Sequence, residues 1–227
     1  MRKLRSFVIR GGRLTAAQQW ALDELWPAYG IDFRTEPLAL DEIFPAQQPL
    51  LIEIGFGNGE TLIHLAQKHP DWNFIGIEVH PPGVGRLLNE VARLELTNIK
   101  VIRHDAVEVL DHMLPAACCD RFYLMFPDPW PKKRHQKRRI LQPDLVEKIA
   151  RCLKPGGSFH LATDWQDYAE QMLDVLSETE VLKNRYNAGN YAPEPSERPL
   201  TRFEARGRRL GHDVWDLVFE KKLTLLS

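Results

Sequence analysis

Acidic residues recur in this chain at the ends of short apolar runs. "LLIEIGFGNG" carries Glu53 just before three spaced glycines, Gly55, Gly57 and Gly59. "NFIGIE" ends at Glu78, "NIKVIRHDA" at Asp105 and Ala106, "RFYLMFPD" at Asp128 and "SFHLATD" at Asp164. A carboxylate can accept hydrogen bonds from hydroxyls and amines, pair with a cation, or stabilise charge that develops in a reaction. Glycines permit positive φ and close approach of backbone to a ligand. "FPDPWPKKRHQKRR" adds a second chemistry. Asp128 stands between Pro127 and Pro129, which fix φ on either side and stiffen the turn. Trp130 follows, with a flat face on which a base could stack. Then come Lys132, Lys133, Arg134, Lys137, Arg138 and Arg139, six cations in eight residues with His135 and Gln136 among them. A cluster of that density suits phosphates, although a charge run is often only a solvated face.

The elements that must position these residues follow from periodicity. "LTAAQQWALDELWPAYG" has helical apolar spacing, with Thr15 as N-cap and Pro27 and Gly30 as stops. A helix is expected from about Asn58 to Lys68, and others in "GVGRLLNEVARLEL", "LQPDLVEKIARCL" and "QDYAEQMLDVLSE". "KPGG" reads as a turn and "HDVWDLVFEKK" as an alternating strand. Strands alternating with helices predict an α/β, Rossmann-like fold. Its sheet is doubly wound and mostly parallel, with a C-terminal antiparallel strand. Right-handed crossovers bring the strand C-termini to one edge, where ligands bind. Singly, an Asp after a strand is most often a cap or turn residue. Glycines or carboxylates at five successive strand ends predict a site.

The glycine spacing narrows the ligand. A dinucleotide fingerprint needs glycine at the sixth position, and counting from Gly55 that position is Glu60. Glu53 would repel a pyrophosphate but could pair with an ammonium group. S-adenosylmethionine has a cationic methionine moiety and no phosphate. Glu78 could accept from both ribose hydroxyls, and Asp105 from the adenine amine beside the Ala106 backbone. The Asp128 turn resembles the D/N-P-P-Y/F turn of class I methyltransferases acting on nitrogen, with Asp-Pro-Trp in place of Pro-Pro-aromatic.

Composition sets the frame. The chain has 227 residues, 44% hydrophobic, and a formal net charge of -1. This suits one domain over 1–227, with residues 1–13 as a basic arm expected to be mobile until RNA binds. Near-neutral charge argues against wholesale binding to nucleic acid but not against local patches. Arg2, Lys3, Arg5, Arg10 and Arg13 form one basic zone, and Arg198, Arg202, Arg206, Arg208 and Arg209 another. Cys118, Cys119 and Cys152 have no metal-ligand spacing and the histidines are scattered, so no metal is expected. There is no secretory signal pattern and no membrane-span-length apolar run, so a reduced cytoplasmic protein is expected, as a monomer rather than a homodimer.

"RSFVIRGGRLTAAQQWALDELWPAYG", "EIGFGNGE", "GIEVHPPGVG", "MFPDPWPKKRHQKRRI", "LKPGG", "ATDWQDYA" and "TRFEARGRRLGH" together resemble the bacterial tRNA (guanine-N7-)-methyltransferase family, in order over nearly the whole chain. The resemblance implies methyl transfer from S-adenosylmethionine to N7 of guanosine 46 in the tRNA variable loop, leaving S-adenosylhomocysteine. It implies that Glu53, Glu78, Asp105 and Asp128 line the cofactor side. Lys132, Asp164, Thr201, Arg202, Phe203 and Glu204 would contact substrate, and the segment Arg134–Arg139 would meet RNA. Guanine N7 already carries a lone pair and no proton, so no general base is needed. Asp128 is expected to orient the guanine or stabilise its developing charge, with Asp164 or Glu204 on the amide edge. Alternatives are a methyltransferase for another nucleic-acid or protein nitrogen, and a non-catalytic α/β RNA-binding protein.

Overall fold

A computed structural model of the chain describes residues 6–7, 13–193, 198–200, 204–205, 209, 211 and 213–223. The first half runs α1 (Ala16–Glu24), α2 (Trp26–Tyr29), β1 (Gly30–Ile31), α3 (Leu40–Ile43), β2 (Leu50–Ile54), α4 (Glu60–Lys68), β3 (Asn73–Ile77), α5 (Pro81–Arg93) and β4 (Ile99–Ile102). Then follow α6 (Ala106–His112), β5 (Cys119–Met125), a 3₁₀ helix (Lys133–Arg138), α7 (Pro143–Cys152), β6 (Leu153–Thr163), α8 (Gln166–Ser177), β7 (Leu182–Asn184) and β8 (Trp215–Lys221). Among the described residues these strands form one sheet of order β1-β4-β3-β2-β5-β6-β8-β7. β1 to β6 pair in parallel, and β8 runs antiparallel to both β6 and β7. The winding leaves β2 toward β3 and β4 on one side and reaches β5 and β6 on the other. That reversal opens a crevice at the C-terminal ends of β2 and β5.

The central strands are apolar because helices cover both of their faces. All five residues of β2 and all five of β3 are buried. Side chains alternate across a strand, so two apolar clusters form. Ile52, Ile54, Ile75, Ile77, Phe122 and Leu124 belong to one. Leu51, Phe74, Val101, Tyr123 and Met125 belong to the other. Glu53 has the parity of Leu51, so β2 carries a carboxyl toward an apolar face.

Local departures from the sequence pattern have local causes. Thr15 caps α1 through a reciprocal box with Gln18, as its residue type predicts. The expected single helix breaks at Leu25, because Pro27 sits in the first turn of α2 and cannot continue the hydrogen bonding of α1. α4 begins at Glu60 rather than Asn58, since its N-cap Gly59 is left-handed at φ 76°. β4 stops at Ile102, and Asp105 instead caps α6 by accepting from the Val107 N–H at 3.0 Å. At "KPGG" both features coexist. Cys119 pairs with Leu153 and Arg121 with Ser158, so residues 154–157 bulge out opposite Asp120. Lys154 Nζ returns a 2.8 Å contact to the Asp120 carboxylate. β1 and β7, of two and three residues, are too short to leave a periodic signal.

The crevice depends on one close approach. A Cβ built on Gly83, in the first turn of α5, would lie 2.1 Å from the Gly57 carbonyl oxygen. Glycine in a helix is otherwise unfavourable, by about 1 kcal/mol relative to alanine. Gly83→Ala therefore reverses the usual sign. The expected result is a loss of about 1–3 kcal/mol from overpacking, read as a lower Tm in thermal unfolding.

Candidate active site

Three backbone reversals shape the crevice floor. Gly55, Gly57 and Gly59 have φ of 71°, 56° and 76°, in the left-handed region that favours glycine. A Cβ on Gly55 or Gly57 would meet nothing within 4 Å, so these two backbones face open space. Gly59 differs, since a Cβ there would come 2.6 Å from Leu87 Cδ1. Its glycine serves the packing of α4 on α5. Glu78 holds the loop in shape. One of its carboxylate oxygens accepts from the Gly57 N–H at 2.9 Å, and the other from the N–H groups of Val79 at 2.6 Å and His80 at 3.0 Å.

The cleft above this floor brings together Gly55, Glu78, Asp105, Ala106 and Asp128. Sequence reasoning missed Phe7 and His104, which also line it. His104 stacks on Phe33 at 3.8 Å between ring centroids and contacts Glu108 at 2.6 Å. Glu53, two residues before Gly55 on β2, is only 2% exposed and is not among the residues that line the cleft. Its Oε2 has no hydrogen-bond partner among the described residues. Burial, with repulsion from Glu78, pushes its carboxyl up to about 8. A buried carboxyl with an unfilled oxygen beside open glycine backbone is chemically suited to a cation.

Asp128 is exposed at the rim, on a turn whose two ends are strained. Phe126 and Trp130 both have positive φ, 51° and 44°. Such backbone persists only where surrounding contacts over-determine it. Here the Phe126 N–H donates to Ala162 O at 2.8 Å and the Trp130 indole N–H to Ser6 O at 3.1 Å. Arg138 lies 4.9 Å from the Trp130 ring centroid, and His135 meets the ring edge-on at 6.0 Å. The ring expected as an open stacking face is therefore half-buried, with contacts that tie it to the turn.

The cation run also divides. Lys132, Lys133, Arg134 and Lys137 are exposed. Partial burial and the cations Arg134, Arg138, Lys132 and Lys137 push the His135 imidazole below its ordinary value. Arg139, expected to meet RNA, is 2% exposed and turned inward. Its guanidinium donates to Pro129 O at 2.8 Å, to Gln171 Oε1 at 2.5 Å and to Asp167. It also lies 4.7 Å from the Tyr168 ring centroid. Gln136, placed with the RNA contacts, donates to Asp167 Oδ2 at 3.0 Å.

Asp164 follows β6 at the same edge and is half-buried. Thr201, Arg202 and Phe203 lie outside the described residues. Glu204 is buried, and Arg198 donates to both of its carboxylate oxygens. Arg198 also donates to Asp216 at 3.2 and 3.1 Å, and His160 contacts Asp216 at 2.7 Å. Glu204 therefore does not stand open to read a guanine edge, and Arg198 does not belong to a solvated basic zone. The one sequence signal for this cluster is Asp216, an acid within the apolar half of a strand.

Comparisons with known proteins bear on the family and the fold. The profile of a family described as "Putative methyltransferase" matches residues 47–217. The tRNA (guanine-N(7)-)-methyltransferase of Aeromonas hydrophila subsp. hydrophila is 55% identical over 221 residues, covering 97% of this chain and 93% of its own. That of Chromobacterium violaceum is 53% identical, covering 97% of each. The fold is similar to the crystal structure of the 16S rRNA methyltransferase KamB, with TM-score 0.55 and 15% identity over 98% of this chain and 100% of that one. Among the described residues no helix is long and apolar enough to cross a membrane, and no group of three or more His, Cys, Asp or Glu could hold a metal ion. On the extent of this sequence similarity, the chain belongs to the tRNA (guanine-N(7)-)-methyltransferase family.

Proposed function

We propose that the protein transfers a methyl group from S-adenosylmethionine to N7 of guanosine 46 in tRNA, in the cytoplasm. The observation that carries this reading is the Glu53 carboxyl, buried with one oxygen unfilled just ahead of the open Gly55–Gly57 backbone in the chain. It fits an ammonium group and not a phosphate. Glu78 and Asp105 line the same cleft with acceptors suited to ribose hydroxyls and an adenine amine. When bound, S-adenosylmethionine supplies an electrophilic methyl on sulfur.

The chain's residues then have separate tasks. Asp128, on the stiff turn at the cleft rim, holds a carboxylate near the base as methylation makes the purine cationic, which lowers the energy of that charge. No proton is removed from N7, so Asp128 acts by electrostatics and orientation rather than as a base. Asp164, half-buried at the same sheet edge, is proposed to meet the guanine amide edge, Glu204 being buried against Arg198. Lys132 stands at the rim, and Thr201, Arg202 and Phe203 are proposed substrate contacts. Lys133, Arg134 and Lys137 bind phosphates and orient the tRNA without reading its sequence.

The direct test is incubation with labelled S-adenosylmethionine and unmodified tRNA, followed by mapping of the product. 7-methylguanosine at position 46 is expected; a different modified nucleotide would overturn the assignment. Asp128→Asn should lower kcat by about 100-fold while donor and tRNA affinities hold. Replacing Lys133, Arg134 and Lys137 with Ala should reduce the slope of log K against log salt by about 0.7–0.9 per cation. Arg139→Ala should leave that slope alone and instead lower Tm, because its partners are internal.

A further inference from the structure

We infer that Trp165 is the platform on which a nucleobase of the tRNA stacks. This rests on the proposed tRNA substrate, and its test is separable from that of methyl transfer.

The indole is not explained by folding. Trp165 is the N-cap of α8 and makes no side-chain capping hydrogen bond. Ser, Thr, Asp or Asn is preferred at that position, and an apolar residue there weakens a helix. The backbone does the capping alone: Trp165 O accepts from the N–H groups of Tyr168 at 3.0 Å and Ala169 at 2.9 Å, and its own N–H donates to Thr163 Oγ1 at 3.3 Å. The side chain remains 37% exposed. A residue type that a helix start does not prefer thus leaves part of an aromatic surface open to solvent.

Its place in the fold matches a base. Trp165 follows Asp164 directly, at the C-terminal end of β6. Met125 pairs with Ala162, so β5 and β6 leave the sheet at the same level. Neighbouring strands lie about 4.8 Å apart, which sets residues 163–165 beside the turn that carries Asp128. The first turn of α8 is also tied to the cation segment. Asp167 accepts from Gln136 and Arg139, so Trp165 and the outward Lys133, Arg134 and Lys137 sit on one rigid unit. Trp130, a second tryptophan at this edge, is half-buried and in contact with Arg138, His135 and the Ser6 carbonyl. A base drawn out of folded tRNA loses its stacking neighbours, and an exposed aromatic beside phosphate-binding cations replaces them.

The test measures the dissociation constant for unmodified tRNA at fixed salt, alongside Tm and donor affinity, in Trp165→Phe, Trp165→Leu and Trp165→Ser. Leu and Ser should weaken tRNA binding about tenfold, with donor affinity and salt slope unchanged. Phe should stay close to wild type. Ser supplies a cap that Leu lacks, so its Tm should lie above that of Leu while tRNA binding falls equally in both, a pairing that a structural role for the indole does not produce. tRNA binding unchanged in Leu and Ser would overturn the inference, as would loss of binding that tracks loss of Tm or is not spared by Phe. If wild type binds tRNA yet forms no 7-methylguanosine, the proposed reaction fails and the stacking inference is still decided by binding. Failure of wild type to bind tRNA would overturn both.

Discussion

The guanidinium of Arg139 lies where three parts of the site meet. It donates to the carbonyl of Pro129 in the Asp128 turn, and to Asp167 and Gln171 one helical turn apart on α8. The Tyr168 ring lies beside it. A charge this deeply buried is costly unless its donors are satisfied, and here each arm has a partner. The consequence is geometric. The strained turn at Phe126–Trp130, the first turn of α8 and the 3₁₀ segment of cations cannot move independently. The Asp128 carboxylate and the outward cations Lys133, Arg134 and Lys137 are held at a set spacing.

A second constraint works in the opposite sense. Glu53 is buried with no full set of partners among the described residues, next to a second acid at Glu78. Within the protein alone this is unfavourable. Burial therefore favours its neutral form. Because its folded value lies near 8, above the ordinary 4.5, the stability it contributes is fully present below about 4.5 and is lost as pH rises through about 8. In the proposed function the group gains its partner when a cation arrives, so the local deficit in the fold would become ligand selectivity. Arg139 and Glu53 thus show two treatments of a buried ionisable group: one with its donors satisfied, the other with an oxygen left unfilled.

Much of this was legible in the sequence, for physical reasons. Parallel strands buried on both faces must be apolar, so "LLIEI" and "NFIGI" announce themselves. Handed crossovers gather their ends, and Gly55, Glu78, Asp105, Ala106 and Asp128 do converge on one cleft. What stayed hidden depends on pairings across the fold. Arg139 looks like its neighbours in a row of cations, and only the packing of α8 against that row turns it inward. Glu204 and Arg198 lie in an arginine-rich stretch that reads as solvated, yet they meet Asp216 from β8 in a buried cluster. Trp130 and Trp165 are indistinguishable by residue type, and their surroundings alone separate an anchor from an exposed face.

The central claim is that this sheet edge is built for a cationic methyl donor, with Glu53 as its counter-charge. Infrared spectroscopy of the protein near pH 7, compared with Glu53→Gln, reports on that group directly. The account predicts a carboxylic-acid carbonyl band from Glu53 in the free protein, absent in the variant, which disappears as S-adenosylmethionine binds and a proton is released. A Glu53 already ionised in the free protein, or one that stays protonated with the donor bound, would contradict it.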